Sequence, residues 1–211
     1  MNIIFDFDGV ILNSHKIKTL AFYYIFKVYG KKNAYKAKKI HLQHIGKSRY
    51  FKFKFIFKNI LKKKLTKKKQ VILDKKFENF IRKKIKMIKP SNFLINFLKK
   101  KQNKVNFYIS TATPQKKIIQ ILKEKNLLKY FKKVYGSPAT KKEHIRKIKK
   151  NRRITIFIGD SYEDFKAAYS CKINFILKMN SENLLIRKKN KFNIINSFKY
   201  LEKKIQLITK L

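Results

Sequence analysis

Residues 2–10 read Asn-Ile-Ile-Phe-Asp-Phe-Asp-Gly-Val, an apolar run that meets two acids, Asp6 and Asp8, and stops at Gly9. A short apolar stretch closed by a residue that lets the backbone turn sharply predicts a buried strand over 2–7. Asp6 and Asp8 then stand at its carboxyl end. The pattern returns far along the chain, where Ile154 to Ile158 is again apolar and runs into Gly159 and Asp160, with Asp164 four residues on. The chain has five aspartates, at 6, 8, 74, 160 and 164, so four of them lie in these two clusters. Solvated surface carboxylates do not gather that way, and the clusters are where chemistry is expected.

The residues between the clusters supply the rest of a sheet. Val105 to Ile109 predicts a second strand ending in Ser110-Thr111, and Pro114 opens a helix through about Asn126. A third strand, Lys133 to Tyr135, is closed by Gly136-Ser137-Pro138, and a helix from near Thr140 carries Ile145 and Ile148. Ile154 to Ile158 is the fourth strand, followed by a helix from about Glu163 to Ser170, and Ile173 to Leu177 is the fifth. Strand and helix in alternation predict an α/β fold, a Rossmann-like parallel sheet with right-handed crossovers and helices on both faces. Ligands bind such sheets at the carboxyl ends of the strands. Asp6, Asp8, Ser110 and Asp160 all fall there, so residues distant in sequence converge on one site.

Residues from about 14 to 88 read as helical instead. Leu20, Tyr23, Tyr24, Phe26 and Lys27 follow one stripe, and Phe51 to Leu61 forms another with interleaved lysines. Within this stretch His41 to Arg49 interrupts the helical pattern and places Gly46 beside an arginine; it reads either as a specificity loop or as a plain surface turn. His41 and His44 have no neighbouring carboxylate or thiol, so they are not read as a metal site. Lys89-Pro90-Ser91 marks the break, and Ser91 is placed to cap a helix carrying Phe93, Leu94 and Phe97. The lysines of 62–69 read as loop or solvated helix face.

A length of 211 residues suits one ordinary domain with a modest insert, and 44% hydrophobic residues suffice for a core. A single cysteine, Cys171, excludes an internal disulfide framework and a Cys-rich zinc site, and a reducing compartment is expected. The first residues carry acid where a signal peptide needs an apolar run, and nowhere do about 18 apolar residues run without charge. A soluble, cytoplasmic, monomeric protein without a membrane partner is the expectation. The formal net charge of +45 suggests a polyanion partner by itself. Yet only 6 of the 56 basic residues are arginine, at 49, 82, 146, 152, 153 and 187. Phosphate and base-edge recognition benefits from the planar guanidinium. Lysine instead travels with Ile, Asn and Phe, whose codons are AT-rich, so the charge reads as compositional drift with nonspecific polyanion binding as its side effect.

Asp6-Phe-Asp8-Gly9-Val10, Ser110 after an apolar strand, Lys141 after Gly-Ser-Pro, and Gly159-Asp160-Ser-Tyr-Glu-Asp164 resemble the four ordered motifs of the haloacid dehalogenase superfamily. The match spans the core. The resemblance implies a core of residues 1–14 and 89–211 and a helical cap over 15–88, similar to the cap of phosphoglycolate phosphatase-like members. It implies that Asp6 attacks phosphorus to form an aspartyl-phosphate. Asp8, two residues on, protonates the leaving oxygen and later deprotonates water. Asp6, Asp8 through its backbone carbonyl, Asp160 and Asp164 are the implied magnesium ligands, Asp164 either as ligand or as support to one. Ser110 is to hydrogen-bond the phosphoryl group and Lys141 to neutralise charge, with Lys142 as the competing lysine. Gly46, Lys47, Arg49 and Thr111 are the candidate substrate contacts.

The expected function is therefore a magnesium-dependent phosphatase acting on a small phosphorylated metabolite. Two alternatives are a phosphomutase of the β-phosphoglucomutase type and a basic nucleic-acid-binding protein on a degenerate scaffold of this family. Asn13 stands where many relatives have a second acid, and Lys18 where β-phosphoglucomutases carry a histidine, which leans away from the mutase.

Overall fold

The computed structural model describes residues 1–149, 153–184, 186 and 192–209. The chain divides into two compact units, one of Met1–Asn13 with Lys89–Leu211 and one of Ser14–Ile88.

Among the described residues the first unit is built on six parallel strands, β1 (Asn2–Phe5), β2 (Asn106–Pro114), β3 (Lys133–Ser137), β4 (Thr155–Gly159), β5 (Asn174–Lys178) and β6 (Asn193–Ile195). Their order is β3-β2-β1-β4-β5-β6. The chain winds one way from β1 and then the other, so the order reverses at β1, the place in such sheets where ligands bind at the carboxyl ends of the strands. This is the Rossmann-like α/β sheet. β6 is the strand not foreseen; three residues are too few to carry a period-2 signal. β2 also runs on to Pro114, with an irregular register against β3 between Ser110 and Pro114.

Alternation along the strands divides the core. Ile4, Tyr108 and Phe157 pack against α7 (Lys141–Lys149) and α8 (Tyr162–Ser170) through Ile145, Ile148, Ala167 and Ala168. Phe5 and Phe107 point to the opposite face, where Phe107 meets Phe97 of α5 (Asn92–Lys101) at 5.7 Å between ring centroids. Within α5, Leu94, Phe97 and Leu98 are buried while Phe93 is exposed, and Ser91 occupies the N-cap position without a side-chain capping bond. Among the described residues this unit also holds the α-helices α6 (Gln115–Glu124) and α9 (Leu201–Thr209).

The second unit holds α1 (His15–Phe26), α2 (Lys31–Gln43), α3 (Arg49–Asn59) and α4 (Lys67–Met87). Phe22 is its centre, 5.6 Å from Phe53 and 5.5 Å from Phe77. The stripe expected in α1 is corrected: Thr19, Phe22, Ile25 and Phe26 are buried, whereas Leu20 and Tyr24 are half exposed. Apolar residues surround that helix on all sides, so periodicity alone does not choose the face. Lys52, one of the lysines interleaved in the α3 stretch, is buried beside His41 with Nζ 3.1 Å from Nδ1. Ser48 and Thr66 cap α3 and α4 by accepting from the amides of Phe51 and Lys69. No described helix is long and apolar enough to cross a membrane.

Candidate active site

Three parallel strands deliver the site. β1 pairs with β2 so that Phe5 faces Ile109, which sets Asp6 and Ser110 side by side at the next step. β1 pairs with β4 so that Phe5 faces Ile158, and Gly159 and Asp160 follow directly. The carboxylates of Asp6, Asp160 and Asp164 come together, each offering an oxygen within 4.8 Å of the others, and all three are buried. The two clusters, some 150 residues apart in sequence, are one site.

Lys141 enters from the first turn of α7. Its Nζ donates to Asp6 Oδ2 at 2.7 Å and also to Asp164 Oδ1. Lys142 beside it is exposed, so the helix itself chooses between the two lysines. α7 buries Lys141, His144, Ile145 and Ile148, one stripe at helical spacing. Its lower half fills the core and its upper half reaches the carboxyl ends of the strands.

Asp164, in the first turn of α8, is held by the N-cap residue Ser161. Its Oδ2 accepts from the Ser161 amide at 3.0 Å and the Ser161 hydroxyl at 2.5 Å, while Ser161 Oγ accepts from the Asp164 amide. This reciprocal cap starts α8. Gly159 is required beside it, because a Cβ there would lie 2.4 Å from Asp164 Cβ. Asp160 is positioned by two asparagines after β5. Asn180 donates to Asp160 Oδ2 at 2.7 Å, and Asn183 donates to the Asp160 carbonyl at 2.9 Å.

Electrostatics follow from the burial of several acids with one ammonium. Burial pushes the Asp6 carboxyl up to about 7; Lys141 opposes the shift, and the charges of Asp164, Asp160 and Asp8 reinforce it. Burial also works against the charge on Lys141, but Asp164 and Asp6 outweigh it and hold the ammonium well above the usual lysine range. The cluster has more negative charge than one lysine neutralises. Its donors are oxygens, the ligand type of hard divalent cations, so the residues fit magnesium.

The other expected site residues have distinct places. Asp8 accepts from the Thr113 hydroxyl at 2.9 Å, and its carboxylate lies outside the group of three. Ser110 is fully buried, with Oγ 2.9 Å from His144 Nδ1. Thr111 is buried and accepts from the Thr113 amide. Gly46 has φ +89°, in the turn between α2 and α3 with Lys47. Arg49 is buried within the helical unit. It pairs with Glu78, lies 2.7 Å from Asp74 Oδ1 without hydrogen-bond alignment, and sits over the Phe77 ring at 5.0 Å.

Thr113, His144, Asn180 and Asn183 belong to no motif legible in the sequence. The asparagines follow a predicted strand, which is a usable signal, but Asn abounds in this chain.

Fold and site together define a Rossmann-like α/β protein with a buried carboxylate cluster at the reversal of its strand order. The chain belongs to the haloacid dehalogenase-like hydrolases, whose family model matches residues 3–178. No curated protein matches it significantly in sequence. Among solved structures it is similar to β-phosphoglucomutase from Clostridium difficile, with 19% identity, TM-score 0.75, and 100% of this chain and 99% of that chain covered. A "predicted phosphoglycolate phosphatase" from Haemophilus somnus has 18% identity and TM-score 0.74, with 97% of each chain covered. A "predicted phosphatase" from Clostridium acetobutylicum has 20% identity and TM-score 0.73, covering 100% of this chain and 98% of that one. These likenesses extend the fold over essentially the whole chain.

Proposed function

We propose that the protein is a magnesium-dependent phosphatase that hydrolyses a small phosphorylated metabolite through an aspartyl-phosphate on Asp6. The observation that carries this reading is the meeting of Asp6, Asp160 and Asp164 around Lys141 at the carboxyl ends of adjacent strands. Asp6, the Asp8 backbone carbonyl and Asp160 would hold the metal, with Asp164 supporting it. Bound there, magnesium supplies the positive charge that lets an anionic phosphoryl group approach carboxylates.

The residues of the chain do the rest. An Asp6 oxygen attacks phosphorus as the bond to the leaving oxygen breaks, and Asp8 gives that oxygen its proton. Asp8 then takes a proton from the water that hydrolyses the acyl phosphate, which regenerates both acids. Lys141 and Ser110 offset the charge on the phosphoryl oxygens. Gly46 and Lys47 are the candidate substrate contacts of the helical unit, and Thr111 that of β2. Arg49, the third candidate contact there, is engaged by Asp74 and Glu78. The lone buried cysteine suits a cytoplasmic setting, and the +45 charge suits weak attraction to polyanions that fades with salt.

Turnover of p-nitrophenyl phosphate is expected with magnesium and is expected to fall to background with EDTA. Chelator-insensitive turnover would contradict the metal assignment. A hexose 1-phosphate separates the mutase reading, because release of inorganic phosphate supports hydrolysis and accumulation of the 6-phosphate supports transfer.

A further inference from the structure

His144 is a buried titratable group that the proposed chemistry leaves unused, and its surroundings are specific. It is 1% exposed and lies one turn after Lys141 on the buried stripe of α7. Lys141 meets Asp6 just past β1, and His144 meets Ser110 within β2, where the register against β3 begins to shift, so one helix face addresses two adjacent strands. The ring stacks on Tyr135 of β3 with centroids 5.3 Å apart and planes 23° from parallel. Helix register and aromatic stacking thus fix the imidazole before any substrate arrives.

We propose that His144 is a positioning residue for Ser110: its Nδ1 fixes the orientation of the serine hydroxyl beside Asp6, and so sets where the phosphoryl group finds its hydrogen bond. The proposal rests on the reading that Ser110 contacts the phosphoryl group.

The chemistry of the pair follows from proton count. A serine hydroxyl has one proton. When His144 carries its proton on Nε2, Nδ1 accepts the Ser110 proton and the hydroxyl turns from the site. When the proton sits on Nδ1, the ring donates to Ser110 Oγ and frees the hydroxyl proton for a phosphoryl oxygen. Either way the imidazole must be neutral to exchange roles, and its environment keeps it so. Burial lowers its pKa to about 4, with the charges of Lys141 and Lys147 acting in the same direction and the Gly136 carbonyl and Glu143 against it. Tyr135 and Ser110 are the groups that face it from β3 and β2. The second nitrogen, Nε2, is buried without an aligned hydrogen bond among the described residues, and the Gly136 carbonyl is the ring's other polar neighbour. An ordinary core histidine would need no such contact with the residue next to the nucleophile.

A double-mutant cycle tests this on the full-length protein, with magnesium and p-nitrophenyl phosphate. H144F is expected to lower kcat/KM about tenfold, the scale of one neutral hydrogen bond. S110A is expected to lower it at least as far. The S110A/H144F double variant is expected to match S110A within about twofold, because His144 acts through the serine. Effects that multiply would overturn the proposal. Wild-type turnover by S110A would sink the reading of Ser110 and this proposal with it, whereas an impaired S110A beside an unimpaired H144F would sink the proposal alone. A readout independent of activity is the imidazole ¹⁵N spectrum of the four histidines, assigned by substitution. The His144 signals are expected to stay neutral between pH 5.5 and 8 and to shift in S110A. A midpoint near 6.5, or a spectrum unchanged by S110A, would contradict the contact.

Discussion

Replacing Asp6 by Asn is expected to reduce turnover by on the order of 10⁴ or more and, at the same time, to raise the melting temperature of the metal-free protein at pH 8. The two effects have one cause. Asp6 is buried beside Asp164, Asp160 and Asp8, and burial pushes its pKa from 3.8 to about 7. As pH rises above 3.8 the unfolded chain gives up this proton while the folded protein still holds it, so stability falls until the folded group has also ionised. A shift of that size corresponds to a few kcal/mol, to order of magnitude. Asparagine does not ionise and escapes this cost, but it cannot attack phosphorus. The stability advantage of the variant is expected to be greatest at pH 8 in EDTA, to shrink toward pH 4, and to shrink again when magnesium compensates the wild-type charge. Melting curves at both pH values, with and without metal, check the sign. Undiminished turnover in the variant would remove Asp6 from the reaction.

Lys141→Met is expected to be the most destabilising single change at the site. Its ammonium is the cation that touches both Asp6 and Asp164, and it is buried with them. Removing one member of a buried pair leaves uncompensated charge, at about 3–5 kcal/mol. Magnesium is expected to recover part of that loss, because it supplies positive charge at the same carboxylates. Turnover should nevertheless stay about 10²–10³-fold low, the scale for losing one group that stabilises the developing charge. Lys142→Met, at an exposed position on the same turn, is expected to change stability by less than about 0.5 kcal/mol. Equal effects from the two lysines would contradict the pairing seen here.

Much of this site is legible in the sequence because aspartate and glycine are scarce. Four of five aspartates in two clusters, each at the end of an apolar run, predict the sheet edge where Asp6, Asp160 and Asp164 meet. Abundance hides the rest. With 50 lysines in the chain, the spacing after Gly-Ser-Pro favours Lys141 over Lys142 only weakly, and the burial of the α7 stripe makes the distinction sharp. The abundance of asparagine hides Asn180 and Asn183 in the same way. His144 looks like an ordinary helix residue until β2 is placed beside it. In α1 the aromatics are spread around the helix, so the buried face is decided by Phe53 and Phe77 rather than by α1 itself.

The most direct measurement is covalent trapping. The Asp8→Asn variant, in which loss of the general base should slow water attack, is mixed with acetyl phosphate and magnesium, quenched in acid, and mapped by mass spectrometry. The account predicts a phosphoryl group on the peptide that carries Asp6, sensitive to hydroxylamine and absent when EDTA is present. Phosphomonoester hydrolysis by the wild-type protein with no such adduct on the variant, or with the label on any residue other than Asp6, would contradict it.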